Sequence, residues 1–312
     1  MTQTTYNTTE IATKGSDFTA LIEQFVMAQD VRNSSRDTYR RTLRHFLQWV
    51  AGTGRQLNAL TRVDVIAYKD SLTAAGMSNL TIGSYLVSVR RFYEWAEAEG
   101  LYPNIARAIK TPRKVQAYKK QHLTNTESAA LLAYYAGKSL RDYAVVNLIL
   151  RTGLRTIEVV RANIGDITYK AGRRILKVWG KGHDGADDYV ALSDMAYEPI
   201  AAYLATRKGT KAGEPLFVSE SNHNNGGRLD THTISRVCKE GLRAIGRDGR
   251  EYTAHSLRHT TAVAILKAGG TLADVQEVLR HNSPVTSQIY VESVKEELRL
   301  QRAPEMLLDM AF

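Results

Sequence analysis

The chain has 312 residues, 43% of them hydrophobic, enough for one large or two medium domains with buried cores. Its 42 Lys+Arg against 32 Asp+Glu leave a formal charge of +10, which favours an acidic partner. One cysteine, Cys238, excludes an internal disulfide framework and a cysteine-based zinc site. No stretch approaches the ~20 apolar residues of a membrane span, and no leader-like run opens the chain, so a cytoplasmic location is expected. The charge is spread: residues 1–115 hold 15 Lys+Arg against 10 Asp+Glu, and the remainder holds 27 against 22. Both parts could therefore meet a polyanion.

Residues 1–15 are polar and Thr-rich, and disorder is expected there. Ser16 then caps a helix with Phe18, Leu21, Ile22, Phe25 and Val26 on one face. A second helix after Ser34-Ser35 buries Tyr39, Leu43, Phe46, Leu47 and Val50 and shows Arg36, Arg40, Arg41 and Arg44 on its other side. A third helix starts after Thr61 and ends near Gly76. A fourth starts near Ser78 and buries Ile82, Tyr85, Leu86, Val89 and Phe92. Four short amphipathic helices predict a helical bundle over 16–102. Its arginine face fits a solvated surface or a nucleic-acid contact equally well.

Residues 103–121 read as a boundary, punctuated by Pro103 and Pro112 and made basic by Lys110, Arg113, Lys114, Lys119 and Lys120. A flexible basic linker can cross phosphates, although linkers also carry charge simply to stay solvated. A second domain, 122–312, opens with the capping-box pattern Thr124-Asn-Thr-Glu127. A helix over about 140–152 follows. Three short strands are expected at Ile167/Tyr169, Ile175–Trp179 and Tyr189–Leu192, then helices at about 195–206, 231–245, 255–268, 271–280 and 284–290. The fold class is mainly α with a small three-stranded β-sheet.

The chemistry-bearing residues cluster in short motifs. Arg155 lies in Thr152-Gly-Leu-Arg155-Thr-Ile-Glu158; His255, Arg258 and His259 lie in His255-Ser-Leu-Arg-His259; His281 precedes Tyr290 by nine residues. Two arginines, two or three histidines and a tyrosine suit attack of a phenol oxygen on a phosphodiester. Arginine forks bind two phosphate oxygens and stay protonated, as the growing charge of the transition state requires. Arg155 also sits at a helix start, where main-chain N–H groups favour phosphate. A salt bridge from Arg155 to Glu158 is a compatible alternative. The four-residue spacing of His255 and His259 invites a zinc reading, but such a site needs a glutamate between the histidines, and here Arg258 sits between them and would repel a cation. No metal and no cofactor are expected.

These motifs, in this order, resemble the tyrosine recombinases, or phage-integrase family, over about Ser16 to Ala303, with a simple Xer-like or Cre-like layout. The resemblance implies a helical core-binding domain, whose arginine face would then touch DNA, and an α+β catalytic domain. It implies catalytic roles for Arg155, Arg258, His255 as proton acceptor or donor, His281 as donor to a phosphate oxygen, and Tyr290 as nucleophile. Lys181, in Trp179-Gly-Lys-Gly182, would be the general acid for the 5′-oxygen, with Lys177 its rival. Glu158 and His259 would support the site. Arg280 stands before His281 where the family commonly has glycine, either to add a phosphate contact or simply exposed.

The implied activity is site-specific recombination of double-stranded DNA at inverted-repeat core sites, through a 3′-phosphotyrosyl bond and a Holliday junction, integrating or excising a mobile element or resolving DNA. The apolar residues Leu298, Leu300, Met306, Leu307, Leu308, Met310 and Phe312 suggest a tail, about 294–312, that docks into a neighbouring protomer of a tetramer. A type IB topoisomerase-like enzyme and a catalytically silent DNA-binding regulator are the competing expectations.

Overall fold

The computed structural model describes residues 18–113, 121–179, 188–280, 294–295, 299 and 304–311. The chain divides into two compact units, Met1–Ala117 and Tyr118–Phe312.

The first unit is a helical bundle: α1 (Phe18–Ala28), α2 (Asn33–Gly52), α3 (Arg62–Ala74) and α4 (Asn79–Ala98). Its starts are chemically marked. Thr61 and Asp64 form a capping box at α3, and the Ser78 hydroxyl accepts from Thr81 N–H at α4. The core is aromatic: Phe25 packs against Tyr39, Phe92 and Trp95, while Phe46 meets Tyr68 edge-on at 4.9 Å. Two polar pairs bridge helices in this core. Thr42 donates to the Ser88 hydroxyl at 2.7 Å, and His45 Nδ1 lies 2.9 Å from the Tyr68 hydroxyl.

The expected linker begins later than its proline pattern suggests. Tyr102, Ala106 and Ile109 are buried in the bundle's own core. Asn79 donates to the Arg113 carbonyl at 2.8 Å, and Tyr102 donates to the Leu60 carbonyl at 2.9 Å. Residues 103–113 are thus part of the first unit. Prolines break the helix, but three apolar residues at suitable spacing keep the strap bound. Lys114, Lys119 and Lys120 lie outside the described residues, as does Ser16.

The second unit packs α5 (Asn125–Ala136), α6 (Leu140–Thr152), α7 (Thr156–Arg161), α8 (Asp194–Ala205), α9 (Thr231–Ala244), α10 (Ala254–Lys267) and α11 (Leu272–Leu279) with an antiparallel sheet of β1 (Ile167–Lys170), β2 (Arg173–Val178) and β3 (Asp188–Ala191). The register pairs Ile167 with Leu176 and Leu176 with Val190. This puts Leu176 and Val190 on the core side, while Tyr169 and Tyr189 stay exposed. α6 and α10 are the inner helices; α6 is buried at six consecutive positions, 144–149. A 3₁₀ turn, Pro304–Met310, carries exposed Met306, Leu307 and Leu308.

Gly153 ends α6 in the left-handed region, φ 61, with its N–H on the Ile149 carbonyl at 2.8 Å. A Cβ there would lie 2.4 Å from Leu279 Cδ2 at the far end of α11. Glycine is required twice, for backbone sign and for room. Gly153→Ala is expected to lose about 3 kcal/mol, from positive φ and overpacking together, read as a lower urea midpoint.

Candidate functional site

The turn after Gly153 gathers charge. Arg155 is the N-cap residue of α7, its backbone extended at φ −74 and ψ 152. Its N–H donates to Glu158 Oε2 at 2.7 Å, and its Nη1 donates to Glu158 Oε1 at 2.7 Å. The glutamate therefore caps the helix and pairs the arginine with one carboxylate. The Glu158 side chain is 1% exposed, whereas that of Arg155 is 35% exposed. The carboxylate lies inside and the guanidinium reaches outward.

A third group shares this carboxylate. Arg280, from the residue that ends α11, donates through Nη2 to Glu158 Oε2 at 2.7 Å and through Nη1 to the Val278 carbonyl at 2.7 Å. Its Nε lies 3.9 Å from Asp188 Oδ2 at the start of β3. The Arg280 side chain is 7% exposed, so it is not the simply exposed residue that the sequence allows. Sequence reasoning reads Arg280 as a departure from glycine that either adds a phosphate contact or is simply exposed. Its pairing partner lies 122 positions away, and no local spacing could reveal it. Burial works to raise the Glu158 carboxyl, but Arg280's charge, then the N–H and guanidinium of Arg155, outweigh it and hold the group below the usual carboxylate range.

Arg258 lies on α10 and is 1% exposed. It donates from Nη1 to the Gly153 carbonyl and from Nη2 to the Leu279 carbonyl. One guanidinium thus ties the end of α6 to the end of α11. Thr261, one turn along α10, donates to the Leu150 carbonyl at 2.9 Å and strengthens the same junction.

The two histidines of α10 differ in surroundings. His255 is exposed on the first turn; His259 is fully buried, its ring centroid 5.4 Å from that of His122. Burial, then His122 and His255, push the His259 imidazole down to about 3, so it is neutral at physiological pH. Lys177 lies on β2 with its residue exposed. Lys181, His281 and Tyr290 lie outside the described residues. The structure therefore brings Arg155, Glu158 and Arg258 to one turn and adds Arg280.

The arginine face of the first unit is divided. Arg40 donates from Nε to both Glu23 oxygens at 2.9 Å and from Nη1 to Asp37 at 2.9 Å. Arg36 donates to the Gln29 carbonyl at 3.0 Å, and Arg44 lies 4.0 Å from Glu23. Arg40 is engaged within the protein, because α1 places Glu23 opposite it; helical periodicity shows a face but not the neighbouring helix. Arg41, Arg44, Lys110 and Arg113 are exposed.

Comparison with known proteins identifies the family. The model of the phage integrase family matches residues 121–297, and that of the phage integrase N-terminal SAM-like domain matches 21–100. The chain is 33% identical to tyrosine recombinase XerC of Rhodospirillum centenum across 84% of this chain and 78% of that protein. It is 27% identical to tyrosine recombinase XerD of Halalkalibacterium halodurans, across 89% and 94%. Among solved structures it is similar to XerH site-specific recombinase bound to a palindromic difH substrate, with TM-score 0.69 and 23% identity over 86% of this chain and 78% of that one. A lambda integrase dimer bound to a core site aligns with TM-score 0.65 and 16% identity, over 88% and 94%.

Two pH experiments test the electrostatics. Glu158→Gln should cost about 3 kcal/mol at pH 7, because it leaves a buried guanidinium without its counter-charge. Glu158 is held low in the folded state, so its contribution is present above the unfolded carboxylate pKa of about 4.3 and is lost as pH falls through the folded value. The urea-stability gap between variant and wild type should accordingly narrow below about pH 4. His259 has a dependence of the same sign in a higher pH window. The unfolded imidazole takes up a proton near pH ~6.5 while the folded one resists it, so stability falls with pH from there down. Wild type should lose about 2 kcal/mol more than His259→Asn between pH 7 and 5; equal slopes would refute a neutral buried His259.

Proposed function

The chain belongs to the phage integrase family, the tyrosine recombinases, and on that premise we propose that it breaks and rejoins double-stranded DNA at inverted-repeat core sites. The observation that carries the reading is the meeting of two arginines at one turn. Arg258 holds the carbonyl of Gly153, 105 positions away in sequence, and Arg155 stands two residues beyond that glycine. A phosphodiester in transition gains charge on its non-bridging oxygens, and fixed guanidinium groups answer that charge without a proton being lost. Arg155, with its outward face, meets the phosphate directly. Arg258 sets the position of the turn and turns part of its donor set toward the phosphate when DNA seats, as apo hydrogen bonds commonly re-aim.

In this proposal the Tyr290 oxygen attacks the phosphorus, the bond to the 5′-oxygen breaks, and a 3′-phosphotyrosyl link forms. His255 takes up the phenol proton; its exposure at the first turn of α10 leaves it open to solvent and DNA. Lys181 delivers a proton to the departing 5′-oxygen, and His281 donates to a phosphate oxygen. The link conserves the bond energy, so a second 5′-hydroxyl can reverse the step on a new partner strand. Exchange in two such rounds passes through a Holliday junction within a tetramer. Exposed Met306, Leu307 and Leu308 support a tail that seats on a neighbouring protomer. In the first unit Arg41, Arg44, Lys110 and Arg113 contact phosphates, with Arg36 and Arg40 behind them.

Covalent capture tests the proposal. The protein is mixed with fragmented host and mobile-element DNA in EDTA, denatured, and the attached DNA sequenced beside Tyr290→Phe. Adducts at a shared inverted repeat, absent in the variant, are expected. Adducts scattered without a shared sequence would identify a topoisomerase-like enzyme instead. Tight DNA binding with no adduct at all would identify a silent binding protein.

A further inference from the structure

Arg280 combines three properties that an incidental surface residue would not share. It adopts φ 52 and ψ 55, a conformation that L side chains rarely hold. Its side chain is almost wholly buried. It places a second guanidinium on a carboxylate that Arg155 already uses. Backbone strain at a long charged residue persists only where its contacts compensate, and here the compensating contact is Glu158.

The charge balance shows what the contact does. A buried carboxylate facing Arg155 alone would neutralise it and hold it by a tight one-to-one pair. With Arg280 present, Arg155, Arg280 and Glu158 together carry a net charge of +1, which the half-exposed Asp188 carboxylate, 3.9 Å from Arg280 Nε, offsets only in part and from the Arg280 side. Oε2 takes Arg280 and the Arg155 N–H, while Oε1 takes one guanidinium nitrogen of Arg155. We propose that Arg280 is a positioning residue that shares Glu158 with Arg155 and so keeps the Arg155 guanidinium available to a phosphate. Arg280 itself is too buried to meet DNA. Its proximity to Asp188 extends the same lock to the start of β3. The inference rests on the recombinase reading for its biological meaning, but its physical content concerns any phosphate at Arg155.

The test uses the full-length protein and two readouts. The first needs no DNA: the rise in melting temperature caused by inorganic phosphate, with Arg155→Gln as the control that should abolish it. Arg280→Gly suits the positive φ and should fold, which the melting curve without phosphate checks. Its phosphate-induced rise should fall at least about two-fold, and Arg280→Lys, which keeps the charge, should recover most of it. The second readout is the single-turnover rate of Tyr290 adduct formation on the captured DNA, where Arg280→Gly should be about ten-fold slower and Arg280→Lys within about three-fold of wild type. A wild-type response in Arg280→Gly, or an Arg280→Lys protein as impaired as Arg280→Gly, overturns the proposal. So does a wild type that phosphate does not stabilise through Arg155. Absence of any adduct from the wild type would overturn the recombinase reading alone, and the phosphate readout would still decide the role of Arg280.

Discussion

The site depends on a buried cation holding main-chain carbonyls. Arg258 sits at the centre of the second unit and donates to Gly153 and to Leu279, so the end of α6 and the end of α11 are tied through one side chain. A guanidinium in the interior is tolerated only when its donors are used, because an unpaired buried charge costs several kcal/mol. Helix C-termini offer the right acceptors: their last carbonyls have no partner within the helix and carry partial negative charge. Gly153 and Leu279 both lie at such ends. Arg258 thereby satisfies two helix termini and fixes the turn that presents Arg155.

A second cation–anion arrangement is built onto the first. Once Gly153 is held, the chain leaves α6 with a left-handed turn and enters α7 at Arg155, which brings Glu158 back over its own N-cap. Leu279 is held by the same guanidinium, so Arg280 emerges beside that glutamate. The alignment of three charged groups thus follows from two main-chain hydrogen bonds. It also explains the contrast in exposure. Arg258 and Arg280 are inside, where they organise, while Arg155 is the guanidinium left at the surface.

How much of this was legible in the sequence depended on the range of the interaction. Periodic burial predicted α3, α4, α6 and α8 to α10 to within a residue or two, and alternation predicted all three strands. Those are local signals, set by residues three, four or two apart. The Arg155–Glu158 pair was equally open, being three residues apart in a helix. The Arg280–Glu158 pair, the engagement of Arg40 by Glu23 and the burial of Arg258 were not, because each depends on which helix lies opposite. The strap at 103–113 shows the same limit. Pro103 and Pro112 announce a break in helix, but whether Ala106 and Ile109 pack or wave depends on a groove formed by the bundle.

The two units also divide the physical work differently. The bundle is held by aromatic packing, and its charged residues lie around the outside, several paired with carboxylates on neighbouring helices. Such partly exposed pairs contribute less to stability than buried ones and are screened by salt, so they are more readily exchanged for phosphate contacts. The second unit keeps its decisive charges buried, where a pair once broken is expensive and geometry is therefore retained. A protein that must grip a long polyanion reversibly yet hold one phosphate in a fixed place needs both regimes. In the proposed reaction, exchangeable surface cations would serve the grip, and buried, carbonyl-bound arginines would serve the placement. Arg155 stands at the border between them: anchored by its own N–H to a buried carboxylate, with its guanidinium a third exposed.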